Sequence, residues 1–580
     1  MSFVAPVTEQ RFLLETIARI GEIAGHERFA AATPDMVDAI VEGAGAFAAK
    51  HYAPLNRVGD TVGAQWLDGA VTMPAGFREA YRAFVEGGWG SIDVDTEHGG
   101  HGLPFCLFTA MFESLGAANM GFSLVNMLTS GAIEALAAHG SPEQQAAWLP
   151  RLASGEWTGT MNLTEPQAGS DVGAIKTVAE PIAGGEQAGK WRIRGQKIFI
   201  TYGEHDLTDN IVHLVLARTP GAPDGTRGIS LFLVPKYHLD ANGTPAARND
   251  VTCVSIEHKL GIHASPTCVM AFGDSGACIG ELVGDLHGGM RAMFTMMNVA
   301  RLNVGSQGVQ IAERALQQAS AFAMTRVQSV RNKGGTPVAI VEHPDVRRML
   351  IQMRALTEGA RALVYYAAGQ VDRAAVGVPG AQERVEILTP LVKAYGADLG
   401  CAVASLGIQV HGGMGFIEET GAAQHYRDAR IAPIYEGTNG IQAADLVSRK
   451  LGLDGGRAFD ALIADVRAGA QGEPLLTALA DEIAHIAAWM RDDASSDDRL
   501  AGSVVFLEMV AVACCGWLML VGERTLTTSN AGSGWARRKR VTTGYYIDQL
   551  VPAALGLSAA ARGGAAILYE IDAQTLCELA

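Results

Sequence analysis

Three observations predict an α+β chain with segregated domains. Helical periodicity runs to about residue 155, a block of short strands fills about 157–283, and long helical patterns return from about 286. The expected domains are helical (1–156), β (157–283), a helical bundle (284–452) and an additional helical domain (456–580). At 580 residues the chain is too long for one hydrophobic core. Its composition, 48% apolar and 18% charged, is that of a packed globular protein.

In the first segment "MVDAIVEGAGAFAAKHY" sets Met36, Ile40, Ala44, Phe47 and Ala48 on one helical stripe, and "CLFTAMFESLGAA" continues in kind. "SPEQQAAWLPRLASG" opens with Ser141 as a cap and Pro142 at the first helical position, and closes on Gly155. The strands read as "GTMNLT", "KWRIRGQKIFIT", "NIVHLVLART", "GISLFLVPKY", "VTCVSIEHKL" and "CVMAFGD". Trp191 and Ile193 alternate with Arg192 and Arg194, as in a sheet with one wet face. "AERALQQASAFAMTR" and "HPDVRRMLIQMRALTEGARALVYYAAGQ" are the clearest later helices, and "LGLDGGR" is a joint before the last block.

Charge excludes one class of function. The net charge of -16 opposes a phosphate-backbone binder, and residues 456–580 hold 15 acids and 10 bases, a net of -5. The one compact basic run, "ARRKR", reads as a solvated cluster or subunit contact. Eight scattered cysteines without a C-x-x-C pair predict no disulfide framework and no metal site, and fit a reducing cytoplasm. The start lacks a secretory pattern. The apolar run 509–522 is 14 residues, short of the roughly 20 a bilayer needs, so a buried helix and a soluble protein with no membrane span are expected.

No Walker loop and no G-x-G-x-x-G between strand and helix is present. "HGGMGF" (411–416) reads as a helix C-cap and turn. "MNLTEPQAGSDVG" leaves a strand, turns at Pro166 and offers Thr164, Gly169 and Ser170 at a sheet edge; a plain loop with an Asx turn at Asp171 fits equally. In "KIFITYGEHD", Phe199 and Thr201 stand at i and i+2, which puts an aromatic wall and a hydroxyl on one strand face, or only packing and surface. In "PIYEGTNGIQ" (433–442), Glu436 follows apolar residues. It precedes a helix that Thr438 can cap, with Ile441, Ala444 and Val447 as its apolar side and Arg449, Lys450 and Gly452 at its close. A carboxylate buried there would have the raised pKa of a general base, and the helix start could hold a phosphate.

"TEPQAGSD", the "FIT" strand, "QVHGGMGF" and "RDARIAPIYEGTNGIQ", in this order and spacing, resemble the acyl-CoA dehydrogenase family over nearly the whole chain. The resemblance implies an N-terminal helical domain, a middle β domain, a C-terminal helical bundle and, as in long members, an additional C-terminal helical domain. "TYGEHDLTDNIVHLVLAR", "IEHKLGIHASPTCVMAFG" and "EHPDVRRMLIQMRALTEGARAL" are closest to long members that act on 3-methylmercaptopropionyl-CoA.

By this resemblance the chain is an FAD-dependent enzyme that converts an acyl-CoA to the trans-2-enoyl-CoA, with Glu436 as the base. Leu163, Thr164, Gly169, Ser170, Phe199, Thr201 and Thr438 match positions around FAD. Arg326, Gln409 and Gly413 match positions that reach the FAD of a neighbouring subunit. Ser170 again, Asn298, Arg301 and Gly437 match substrate or CoA contacts. Phe199 stands where many members carry tryptophan, Ser329 where a phenylalanine is usual, and Asn298 where aspartate is common. Ala300 occupies the position from which a minority of members supply the base. Implied partners are an acyl-CoA, an electron-transfer flavoprotein and a second copy of the chain as a homodimer; nucleic acid is not expected. An acyl-CoA oxidase, a dehydrogenase for medium- or long-chain fatty acyl-CoA, and a DNA-binding or non-catalytic relative are the alternatives.

Overall fold

A computed structural model describes residues 3–526 and 533–578. Residues 1–2, 527–532 and 579–580, which belong to the first and last expected domains, lie outside the described residues. The chain divides into two compact units, one made chiefly of Glu42–Ala300, the other of Pro6–Val41 with Arg301–Ala580.

In the Glu42–Ala300 unit, helices α1 (Phe105–Ala118), α2 (Met120–His139) and α3 (Pro142–Ser154) precede the sheet. α1 is buried along its whole length. α3 starts on a capping box between Ser141 and Gln144 and stops at Gly155, whose φ is 81°. The sheet has eight strands: β1 (Thr158–Asn162), β2 (Val178–Pro181), β3 (Trp191–Thr201), β4 (Ile211–Arg218), β5 (Ile229–Pro235), β6 (Val251–Ile256), β7 (Thr267–Phe272) and β8 (Ile279–Val283). Their order is β6-β7-β3-β8-β5-β4-β1, with β2 paired to β3 and β4. β2 and β8 escape the sequence pattern because each is short and only partly buried. α2 lies directly on β1: a Cβ at Gly159 would sit 2.3 Å from the Ala132 Cβ, so only glycine permits the approach.

The other unit is built on α4 (Gly289–Thr325, within which the division falls), α5 (Pro344–Ala375) and α6 (Ala381–His411). α4 and α6 cross at backbone contact. A Cβ at Gly308 would lie 1.7 Å from the Gly396 carbonyl oxygen, and one at Gly305 would lie 2.3 Å from that of Val392. This crossing sets Arg301 near Lys393. α7 (Asn439–Ser448) packs against α6 and against α8 (Ser496–Arg524), which belongs to the last helical block.

Several expectations need correction. The buried stripe of helix Pro34–Phe47 passes through Val37, Val41 and Ala44, with Met36 42% exposed, because the face turns one residue from where the larger side chains suggest. α7 ends at Ser448 and buries Gln442, Ala443, Leu446 and Val447, while Ile441 is exposed. The run 509–522 belongs to a 29-residue helix, so length does not bar it from a bilayer. By length and composition three helices among the described residues could span one: Met120–His139, Ala381–Phe416 and Ser496–Arg524. Their apolar windows are 89, 67 and 72% buried inside the chain, which identifies them as core. "ARRKR" is not uniformly solvated: Lys539 is 3% exposed and pairs with Glu9 and, at 3.2 Å, with Glu358. One positive end in four is thereby withdrawn from the surface.

Candidate active site

In the β unit Leu163, Thr164, Gly169 and Ser170 lie in the loop after β1, and Phe199 and Thr201 lie at the C-terminal end of β3. The loop after β1 is tied to β3 where the Ile198 amide donates to the Thr164 carbonyl at 2.9 Å. Beneath it Lys197 is fully buried and donates Nζ to the Leu163 carbonyl (2.9 Å) and to Glu165 Oε1 (2.8 Å). Glu165 also accepts from the amides of Lys176 (2.6 Å) and Thr177 (3.0 Å), from Thr177 Oγ1 (2.6 Å) and from Gln167 Nε2 (2.7 Å). Burial works against its charge, but the Lys197 ammonium and these hydrogen bonds outweigh it and hold the carboxyl at about 2. Burial pulls Lys197 down to about 8 against the pull of Glu165.

Phe199 does not follow the i, i+2 reasoning. Opposite β7, four residues of β3 (197 to 200) face three (268 to 270), and Phe199 has a φ of 60°. It is therefore the extra residue of a β-bulge, which re-aims a side chain that simple alternation would send inward beside Lys197. The ring is 59% exposed at the rim, near the half-buried Thr201.

In the helical unit the chain ends α6 at His411, with Gly412 at φ 61° as its C-cap and a short 3-10 segment to Phe416. The His411 ring stacks on Phe322 of α4 at 4.5 Å. Gln409 and Gly413 flank His411 in the chain, Arg326 follows α4, and all three are exposed. Ser329 lies in a small hairpin with φ 60°. Asn298 and Arg301 are one turn apart on α4; Asn298 is exposed and Arg301 is 9% exposed. Ala300 is buried and carries no acid.

Glu436 sits in the bend before α7, whose Thr438 accepts the Ile441 amide at 3.2 Å as N-cap. Glu436 has a φ of 56° and Gly437 one of 83°. A glutamate in the left-handed region carries strain of about 1–2 kcal/mol. Its carbonyl is held by Arg301 Nε and Gln442 Nε2, both at 3.4 Å, and Tyr435 donates its hydroxyl to Gln307. Among the described residues the amides of Glu436 and Gly437 make no backbone hydrogen bond, and the Glu436 carboxyl accepts none. Burial pushes that carboxyl up to about 7, with Arg301 and then Lys393 pulling the other way. A carboxyl poised at that value and free of hydrogen bonds can take and release a proton near neutrality.

Sequence reasoning missed Lys393, Gln442, Gln307 and the Lys197–Glu165 pair. The only signal for Lys393 was a lone cation in the apolar run "LTPLVKAYGADL".

Family models for the acyl-CoA dehydrogenase N-terminal, middle and C-terminal domains match residues 35–156, 160–275 and 287–451, and an acetyl-CoA dehydrogenase C-terminal-like model matches 457–572. A 3-methylmercaptopropionyl-CoA dehydrogenase of Ruegeria pomeroyi is 46% identical over 89% of this chain and 90% of its own. The chain belongs to the acyl-CoA dehydrogenase family. A butyryl-CoA dehydrogenase of Syntrophomonas wolfei is 39% identical over 71% of this chain and 70% of its own. The fold matches that of a Bacillus anthracis acyl-CoA dehydrogenase solved with FAD, with a TM-score of 0.73, 21% identity and coverage of 94% and 90% of the two chains.

The chain is thus an acyl-CoA dehydrogenase, an oxidoreductase of an FAD-dependent family that acts on acyl-CoA substrates. The residues present fit a flat cofactor. The Phe199 ring stays accessible near Thr201, and Gly169 has open space where a side chain would stand.

Proposed function

We propose that this enzyme performs α,β-dehydrogenation of a short acyl-CoA thioester, 3-methylmercaptopropionyl-CoA in the first instance, to the trans-2-enoyl-CoA. Glu436 takes the α-proton. The observation that carries this reading is the strained turn at Glu436, with its carboxyl raised to about 7 and the amides of Glu436 and Gly437 making no backbone hydrogen bond among the described residues. Strain of this kind persists only where surrounding contacts hold it, and here Arg301 and Gln442 do so. The free amides of Glu436 and Gly437 suit the charge that develops on the thioester oxygen.

By the family resemblance Leu163, Thr164, Gly169, Ser170, Phe199, Thr201 and Thr438 match positions that would hold FAD, which would supply the hydride acceptor. Asn298, Arg301, Ser170 and Gly437 match the positions that would contact the substrate. The substrate class rests on the likeness to the Ruegeria enzyme, and the Syntrophomonas relative keeps the expectation on short chains. Electrons leave to an electron-transfer flavoprotein. A homodimer covers the exposed Met414, Phe416 and Ile417 beside Gln409 and Gly413, and the eight free thiols suit a reducing cytoplasm.

Anaerobic bleaching of the yellow holoenzyme by a panel of CoA thioesters tests the reading. Fastest bleaching by 3-methylmercaptopropionyl-CoA supports the substrate, and faster bleaching by long-chain thioesters overturns it. Peroxide formed during turnover without an added acceptor would make the enzyme an oxidase instead.

A further inference from the structure

The turn that carries Glu436 is held from α6. Lys393 is fully buried in that helix and donates Nζ to Asn439 Oδ1 at 2.9 Å. Asn439 donates its side-chain nitrogen to the Ala394 carbonyl at 3.1 Å and its amide to the Pro433 carbonyl at 3.0 Å, closing the turn on itself. Two adjacent residues of α6 therefore clamp one asparagine, and that asparagine clamps the segment 433–439.

A fully buried ammonium is costly unless paired. Among the described residues Lys393 has one hydrogen-bond partner, and it is a neutral amide. Its charge is thus left to act through space on the two carboxyls near it, Glu436 and Asp398. Arg301 on α4 is placed differently: it is bonded to the Glu436 carbonyl and feels Asp445 of α7 and Arg449, which follows that helix, as well. The remaining charged groups around this cluster are Arg430 before the turn, and Glu508 on α8, which feels Asp398.

We propose that Lys393 is a positioning residue for proton abstraction: through Asn439 it fixes the turn that bears Glu436, and its buried charge favours the ionised form of the Glu436 carboxyl. The proposal rests on Glu436 being the base. An opposite charge favours the ionised carboxyl, so loss of the ammonium raises the pH at which Glu436 titrates.

The test is single-turnover bleaching of the holoenzyme by an acyl-CoA across neutral and alkaline pH. In Lys393→Met and Lys393→Gln the acid limb of the rate profile moves up by about one pH unit. The deficit, about tenfold at neutral pH, then disappears at alkaline pH. Lys393→Arg keeps the limb in place. Asn439→Ala, which retains the charge and frees the turn, lowers the rate at every pH. Glutamine can still donate to Asn439, so Lys393→Gln decides the matter if the methionine variant fails to fold. An unmoved limb in the charge-removing variants, or a wild-type rate in Asn439→Ala, overturns the proposal. Glu436→Gln is run alongside. Retained bleaching there sinks the base assignment and this proposal with it, whereas lost bleaching with an unmoved limb sinks this proposal alone.

Discussion

In each unit of this enzyme a glutamate stands near a fully buried lysine, and the two carboxyls, Glu165 and Glu436, have opposite properties. Glu165 lies against Lys197 and accepts four further hydrogen bonds, which hold it at about 2. Glu436 lies near Lys393 and Arg301, accepts no hydrogen bond among the described residues, and is raised to about 7. Both lysines are fully buried and both sit at about 8. The cation is therefore not what separates the pairs. Direct donors to the carboxylate do: with them a buried glutamate is a fixed anion that ties a loop to a strand, and without them it is a proton acceptor.

Substitutions can break this contrast. The largest effect is expected from Glu436→Gln, which should keep the yellow flavin yet slow bleaching by acyl-CoA about 10²–10⁴-fold, the range for removal of a general base. Bleaching at the wild-type rate would show that the free carboxyl is not the base. Lys197→Met should leave the Glu165 charge buried without its ion pair and cost about 3–5 kcal/mol in urea unfolding. Its acid limb should stay where the wild type has it. A moved limb would mean that the two pairs are not separate in role.

The pH dependence of stability sharpens the same contrast. The pKa of Glu165 is depressed in the folded state, so its contribution is present above the ordinary carboxylate range and lost as pH falls toward about 2. The pKa of Glu436 is raised, so its contribution is full in acid and lost as pH rises through about 7. Glu436→Gln should accordingly melt higher than wild type at mildly alkaline pH and at the same temperature near pH 4, followed by release of flavin fluorescence. Equal melting at both would mean that the Glu436 charge is not held against a desolvation cost. The smallest effect is expected from Thr438→Ala, which removes the N-cap of α7 for about 1 kcal/mol. A loss several times larger would show that the cap also holds the strained turn.

Some of this was legible in the chain. Periodicity separated helical from strand segments, because 3.6- and 2-residue repeats need only local sequence. The Ser141 capping box, the Gly412 stop and the Thr438 cap were readable for the same reason. The family motifs placed Glu436 before a helix and Phe199 on a strand. The buried face of α7, the bulge at Phe199 and the burial of Lys539 were not readable, since each depends on what packs opposite.

By itself the sequence determined the main helical segments and six of the eight strands of the sheet, and that one carboxylate, Glu436, stands at a capped turn after apolar residues. Tertiary structure alone decided what that carboxylate is. The glycine-lined crossing of α4 and α6 brings Arg301 and Lys393, 92 positions apart in the numbering (393 less 301), to one turn. A pKa is set by the dielectric and charges within a few ångströms, and those neighbours come from distant parts of the chain.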